Sequence, residues 1–199
     1  MTSRGPREQS QRRALATRRA FATKGDKLMF RLGLIIAGVI FAADQLVKAF
    51  FLYGLEFIKG TPAAPVPPIE ITPFFNVVMV WNHGISYGLF QASSPFQRWI
   101  LVVFSLGVVC LLIWWLRSIR DLRMAQAIGL IVGGAVGNVI DRIVYGAVAD
   151  FFHLHAFGYS WYVFNVADTA IVVGVILMAA DLLLGEWRGR SRGATEDQT

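Results

Sequence analysis

Cysteine is almost absent from this chain: Cys110 is the single one among 199 residues. No internal disulfide can form, and no cysteine-based metal site is available. Cys110 lies inside an apolar run, which favours a small buried side chain over a catalytic thiol. Histidine is scarce as well, with three residues, His83, His153 and His155. His153 and His155 would share one side of a strand near Asp150, but no further ligand set stands beside them. No metal and no cofactor are expected. Charge is the third shortage. Charged residues make up 16% of the chain, against about 25% in ordinary soluble domains.

What fills the chain instead is hydrocarbon. It is 55% hydrophobic with a mean hydropathy of +0.53. That composition predicts a multi-pass membrane protein with one domain. Four runs are long enough to span a bilayer as helices, at 28–53, 99–116, 124–144 and 166–184. The first could be read as a signal peptide with Ala42-Ala43 near a cleavage point. Its apolar character, however, continues through Phe50, Phe51 and Leu52.

The formal net charge is +6. In a soluble protein that excess would suggest nucleic acid. Here the basic residues flank apolar runs, so orientation by the positive-inside rule is the better reading, and no nucleic-acid partner is expected. Residues 1–27 hold Arg4, Arg7, Arg12, Arg13, Arg18, Arg19, Lys24 and Lys27 without hydrophobic periodicity. They read as a mostly disordered cytoplasmic tail. The 117–123 loop and the tail from 186 to 199 carry most of the remaining Lys and Arg outside the spans. Both termini are therefore placed in the cytoplasm, and the charge-poor links 54–98 and 145–165 on the outer side.

The outer links differ from the spans. Residues 61–68 (TPAAPVPP) form a loop that no helix would tolerate. Residues 69–81 (IEITPFFNVVMVW) are β-branched and aromatic, which predicts short strands with Pro73 at a break. The link 145–163 is rich in aromatics suited to the headgroup level. Within the third span, Gly129, Gly133 and Gly137 recur every four residues and predict close helix packing.

Polar residues in such surroundings are functional candidates. Asp44 and Lys48 are four apart, on one helical face, and read as a structural ion pair. Asn138, Asp141 and Arg142 share a face at the end of the third span. Asp150 and Asp168 are each flanked by apolar residues. Two carboxylates in contact cannot both ionise easily, so one keeps its proton. The ionised member can then accept a proton from water attacking a peptide carbonyl, while the protonated member polarises that carbonyl. By spacing, Asp141, Asp150 and Asp168 all qualify. Asp141, beside Arg142 and on a face with Asn138, reads as a hydrogen-bonded structural carboxylate. That leaves Asp150 and Asp168, although spacing alone keeps the choice open. No serine with a plausible base competes, since Ser86 has only His83 nearby.

Five blocks in order make the chain resemble the prolipoprotein (type II) signal peptidases of bacteria. They are Asp44-Gln45-Leu46-Val47-Lys48, then Asn82-x-Gly84-x-Ser86-x-Gly88, then Gly133-Gly134-Ala135-x-Gly137-Asn138-x-Ile140-Asp141-Arg142, then Val148-Ala149-Asp150-Phe151, and finally Phe164-Asn165-Val166-Ala167-Asp168-Thr169. The resemblance covers roughly residues 28–185. It implies an all-α membrane protein: four transmembrane helices with a small β-rich extracytoplasmic cradle and a short interfacial helix. It also implies a membrane aspartic endopeptidase that cleaves diacylglyceryl-modified prolipoproteins before the lipidated cysteine, in the inner membrane. Carried over by motif position, Asp150 and Asp168 are the catalytic pair. Asn82, Gly84, Asn138, Asp141, Arg142, Asn165, Asp44 and Lys48 line or brace the site. The implied partners are those substrates, membrane lipid and globomycin-type inhibitors, and the enzyme is expected to act as a monomer. The rival from another class is a small transporter or channel using intramembrane carboxylates. Internal repeats and broken mid-span helices would mark it. Neither is evident, and the acids gather at one face. A structural subunit with a polar packing network is a third reading.

Overall fold

A computed structural model describes residues 6–60, 64–84 and 95–196, with side chains over 27–60, 64–84 and 95–183. Four long helices dominate: α1 (Pro6–Ala49), α2 (Pro95–Leu116), α3 (Leu122–Val144) and α4 (Val166–Glu196). Four stretches are long and apolar enough to cross a membrane: Lys27–Gly54, which runs from α1 through the turn after it, Pro95–Leu116, Leu122–Val144 and Val166–Leu183. The third is the central one. Its apolar window is 61% buried within the protein, against 17% for each of the others, whose remaining surface is left to lipid.

Glycine places α3 at the centre. A methyl group at Gly129 would lie 2.6 Å from the Gly33 carbonyl oxygen of α1, and one at Gly133 would lie 2.6 Å from that of Ala37. Gly134 meets the Ala167 carbonyl of α4 on the other side. The stripe read from the sequence therefore seats α3 on α1, and its neighbour Gly134 admits α4. Around it, Ala37, Val109, Leu116, Met124, Ala125, Ile128 and Val132 form the buried bundle core.

The basic segment departs from expectation. Helix α1 begins at Pro6, so most of the stretch expected as a disordered tail is helical backbone. Residues 7–24 contain no glycine or proline and are rich in Ala, Arg and Gln. Helix propensity suffices there without an amphipathic pattern. Likewise α4 continues to Glu196, beyond the end of its span.

The links between the first and second spans and between the third and fourth build one antiparallel sheet in the order β1-β2-β3-β4, with β1 (Ile69–Thr72), β2 (Phe75–Asn82), β3 (Val148–Ala156) and β4 (Tyr159–Ser160). The first two strands lie where β-branched residues predicted them, with Pro73 in the turn between. Among the described residues, the short helical element beside the sheet is a 3-10 turn, Phe57–Lys59, that follows a π-turn, Phe50–Gly54. Phe51, Phe57 and Phe151 pack ring on ring there, with Phe51 and Phe151 stacked at 4.8 Å. This second core ties the end of α1 to β3.

Candidate active site

Among the described residues, the buried polar or charged side chains are Asp44, Lys48, Asn138, Asp141, Asp150 and Asn165. All of them belong to one hydrogen-bonded network, where the ends of α1, α3 and α4 meet β3. Burying such groups is tolerated only when they are paired. The concentration of that cost at one point marks the site.

Asp150 is presented by β3. The register pairs Val77 with Phe152 but Val80 with Asp150, so β2 spends an extra residue beside Asp150. Such a bulge re-aims side chains next to a site. Asn82, at the end of β2, donates from Nδ2 to Asp150 Oδ2 at 3.0 Å. Phe164 bridges to Phe152 with two backbone hydrogen bonds of 2.8 and 3.0 Å. This brings the following residue, Asn165, against β3, where its Nδ2 donates to Asp150 Oδ1 at 2.7 Å.

Asp168 sits in the first turn of α4. Its backbone N–H donates to Asn165 Oδ1 at 2.9 Å. Asn138 Nδ2, from α3, donates to Asp168 Oδ1 at 2.7 Å. The two asparagines are themselves joined, Asn165 Nδ2 donating to Asn138 Oδ1 at 3.1 Å. Each aspartate is thus held by an amide, and the amides are linked. The positive end of α4 adds a favourable field for negative charge here. Burial, and after it the Asp168 charge, pushes the Asp150 carboxyl up to about 7. The amides of Asn82 and Asn165 oppose that shift by favouring the ionised form.

Behind the pair lies an ion triad. Lys48 Nζ sits 2.7 Å from Asp44 Oδ2 and 2.7 Å from Asp141 Oδ2. The expected Asp44–Lys48 pair therefore exists, with Asp141 as its third member. Asp141 takes Lys48 as its partner, although Arg142 is adjacent in sequence, because neighbouring residues on a helix point apart. Arg142 instead donates from Nη2 to the Gly84 carbonyl at 2.8 Å and from Nη1 to the Asn138 carbonyl at 3.2 Å. Gly84 N–H in turn donates to Asn82 Oδ1 at 3.0 Å. That bond turns the Nδ2 of Asn82 toward Asp150.

A cavity of about 330 Å³ is lined by Asp168 and by Asn82, the partner of Asp150. Asn82, Gly84, Asn138, Arg142 and Asp168 form its polar wall, and Leu101, Phe104 and Ile171 belong to its apolar one. Its lining draws on α2, α3 and α4 together with the ends of β2 and β3.

Every site residue expected from the sequence falls in this network. Ser86 and Gly88 of the second block lie outside the described residues. The rings of His153 and His155 lie 5.1 Å apart on β3, tilted by 34°, and His153 bonds the Ser160 hydroxyl rather than joining the site. One participant was missed. Gln45 Nε2 reaches Asp44 Oδ2 at 3.1 Å and Asp141 Oδ1 at 3.3 Å. Its signal was available as an amide inside an apolar span.

Fold and site define a multi-pass membrane protein with a buried acid–amide centre at one end of its helix bundle. The family model for signal peptidase (SPase) II matches residues 36–184, and the chain belongs to that family. It is 48% identical over 154 residues to a lipoprotein signal peptidase of Methylorubrum extorquens (strain PA1), covering 77% of this chain and 86% of the relative. It is 49% identical over 158 residues to one from Beijerinckia indica subsp. indica, covering 79% and 91%. Among solved structures it resembles a bacterial membrane enzyme determined by the in meso method at 2.3 Å resolution. The TM-score is 0.64 and the identity 27%, over 76% of this chain and 87% of that one.

Proposed function

We propose that this peptidase is an aspartic endopeptidase that removes the signal peptide from diacylglyceryl-modified prolipoproteins, cutting before the lipidated cysteine. The observation that carries the reading is the placement of Asp150 and Asp168. Each is gripped by an asparagine amide where β3 and the start of α4 meet, and Asp168 and the Asn82 that holds Asp150 both line the 330 Å³ cavity. With one proton shared by the pair, the ionised carboxylate accepts a proton from the attacking water. The protonated one donates to the scissile carbonyl oxygen; on collapse of the tetrahedral gem-diol it takes that proton back, and the proton taken from water passes to the leaving amine. Low dielectric around the pair strengthens both interactions. No cofactor enters the reaction.

The functional unit is residues 28–185, acting as a monomer in the bacterial cytoplasmic membrane. The flanking segments 1–27 and 186–199 lie in the cytoplasm, by the distribution of Lys and Arg. The dyad then lies near the outer leaflet, where a lipidated chain can reach it laterally and a globomycin-type inhibitor can block it. The test is a gel-shift cleavage assay on a diacylglyceryl-modified prolipoprotein in detergent or lipid. The wild type cleaves, and neither Asp150→Asn nor Asp168→Asn does. Full cleavage by either variant would sink the dyad. Activity lost only in Asp141→Asn would keep the enzyme and change the pair.

A further inference from the structure

We propose that Lys48 is the positioning residue that sets the separation and orientation of the aspartate pair. The inference rests on the dyad reading above. Its basis is a repeated one-residue offset. Asp44 Oδ1 accepts the backbone N–H of Ala167 at 3.0 Å, and Ala167 immediately precedes Asp168. Asp141 Oδ2 accepts the backbone N–H of Ala149 at 3.2 Å, and Ala149 immediately precedes Asp150. Lys48 holds these two carboxylates together through their Oδ2 atoms at 2.7 Å each. The spacing between the two tethered amides, one on β3 and one on α4, thus runs through the Lys48 ammonium, with the Gln45 amide bridging the same two carboxylates beside it.

The chemistry of each tether fits this role. Ala167 lies in the first turn of α4, where backbone N–H groups have no intrahelical partner, so Asp44 supplies what the helix lacks. Consecutive Cα atoms are about 3.8 Å apart across a rigid peptide plane, so a shift at a tethered amide reaches the next Cα almost undamped. Lys48 also donates to Asn138 Oδ1 at 3.3 Å, which uses the last of its three donors. That bond fixes the Asn138 amide with Nδ2 toward Asp168 Oδ1. A triad kept for packing alone would gain from apolar replacement. Here each of the two carboxylates also accepts the backbone N–H of the residue that precedes a member of the pair.

The test separates placement from folding. Lys48→Met preserves length and removes the charge. It is expected to leave KM within about threefold while kcat drops by about a hundredfold or more, since a misplacement of about 1 Å costs that much. Lys48→Arg should restore part of kcat by keeping a cation between the two carboxylates. The neutral triple variant Asp44→Leu, Lys48→Met, Asp141→Leu should fold and remain as slow as Lys48→Met. Monodispersity and thermal unfolding in detergent report folding. A folded Lys48→Met or triple variant with kcat within threefold of wild type overturns the proposal. So does a failure of both to fold, which would make the triad a stability element only. Asp150→Asn and Asp168→Asn are assayed in parallel. If either cleaves, the dyad reading has failed. If both are dead and Lys48→Met is not, only the positioning role has failed.

Discussion

Asn165 and Asp168 cap one another across the first turn of α4. Asn165 Oδ1 accepts the Asp168 N–H at 2.9 Å, and Asp168 Oδ2 faces the Asn165 N–H at 3.4 Å. This is the geometry of a capping box, with a carboxylate at the third helical position. One proposed catalytic residue therefore also starts a transmembrane helix. Asp168→Asn keeps an oxygen acceptor at that position, so it should leave thermal stability nearly unchanged while abolishing cleavage. Asp168→Ala should lose cleavage and also about 1 kcal/mol of stability, the ordinary worth of a cap. Thermal unfolding of the two variants beside the cleavage assay checks this. Equal stabilities would show that the box contributes nothing.

The second prediction concerns pH. Burial and the Asp168 charge hold the Asp150 carboxyl up at about 7, above its ordinary 3.8. The folded protein then keeps a proton that the unfolded chain gives up at about pH 4. Between those values the native state binds more protons, so this group's contribution to stability falls as pH rises from about 4 to 7. Activity should follow the same proton. Above about 7 the pair loses it, so kcat/KM should decline with a single-proton midpoint near that value. Asp150→Asn should flatten the stability profile across this window. Unfolding temperatures measured from pH 4 to 9, with kcat/KM over the same range, test both limbs. An activity midpoint about two pH units higher would contradict the assignment.

The spans were legible because hydropathy alone defines them, and β1 and β2 because β-branched residues and Pro73 do. Strand β3 was not legible as a strand. Its first residues, Val148, Ala149, Asp150 and Phe151, are all buried, so the alternation that reveals a half-exposed strand is missing there. The site residues stood out as polar groups in apolar surroundings, and every one of them joined the network. Their partners did not stand out. Asp141 read as a held structural carboxylate with no partner named, and the fold gives Asp141 to Lys48 and Arg142 to Gly84. Such pairings depend on how helices approach, which sequence spacing cannot encode. Gln45 stood in the first block but was given no role for the same reason, since its acceptors lie mainly on α3.

Two glycines of α3 should separate stability from activity. A methyl group at Gly133 would lie 2.6 Å from the Ala37 carbonyl oxygen and 2.9 Å from Ile40 Cβ. Gly133→Ala must push α1 from α3, and an overpacked contact of this kind costs about 1–3 kcal/mol. At Gly137 the methyl would meet Asp44 Oδ2 at 2.5 Å instead. The yielding atom there is the end of a side chain, so Gly137→Ala should lose less stability than Gly133→Ala. It should lose more activity, because the displaced carboxylate tethers Ala167. Unfolding temperature and kcat for both variants decide the matter, and the opposite ranking would refute the distinction.

Arg142 offers the sharpest contrast between charge and shape. Its guanidinium spans two carbonyls, those of Gly84 and Asn138, at 2.8 and 3.2 Å. Through Gly84 it steadies the turn whose N–H holds Asn82 Oδ1, and so the amide that reaches Asp150. A lysine keeps the charge but not the planar fork, so it cannot hold both carbonyls in the same geometry. Arg142→Lys should therefore lower kcat by about tenfold, the value of roughly one hydrogen bond's worth of transition-state placement. Arg142→Ala should lower it further and weaken binding, because the cavity wall loses its cation. If Arg142→Lys were as active as the wild type, the residue would act on the site through charge alone. The chain of bonds from Arg142 through Gly84 and Asn82 to Asp150 would then carry no catalytic consequence.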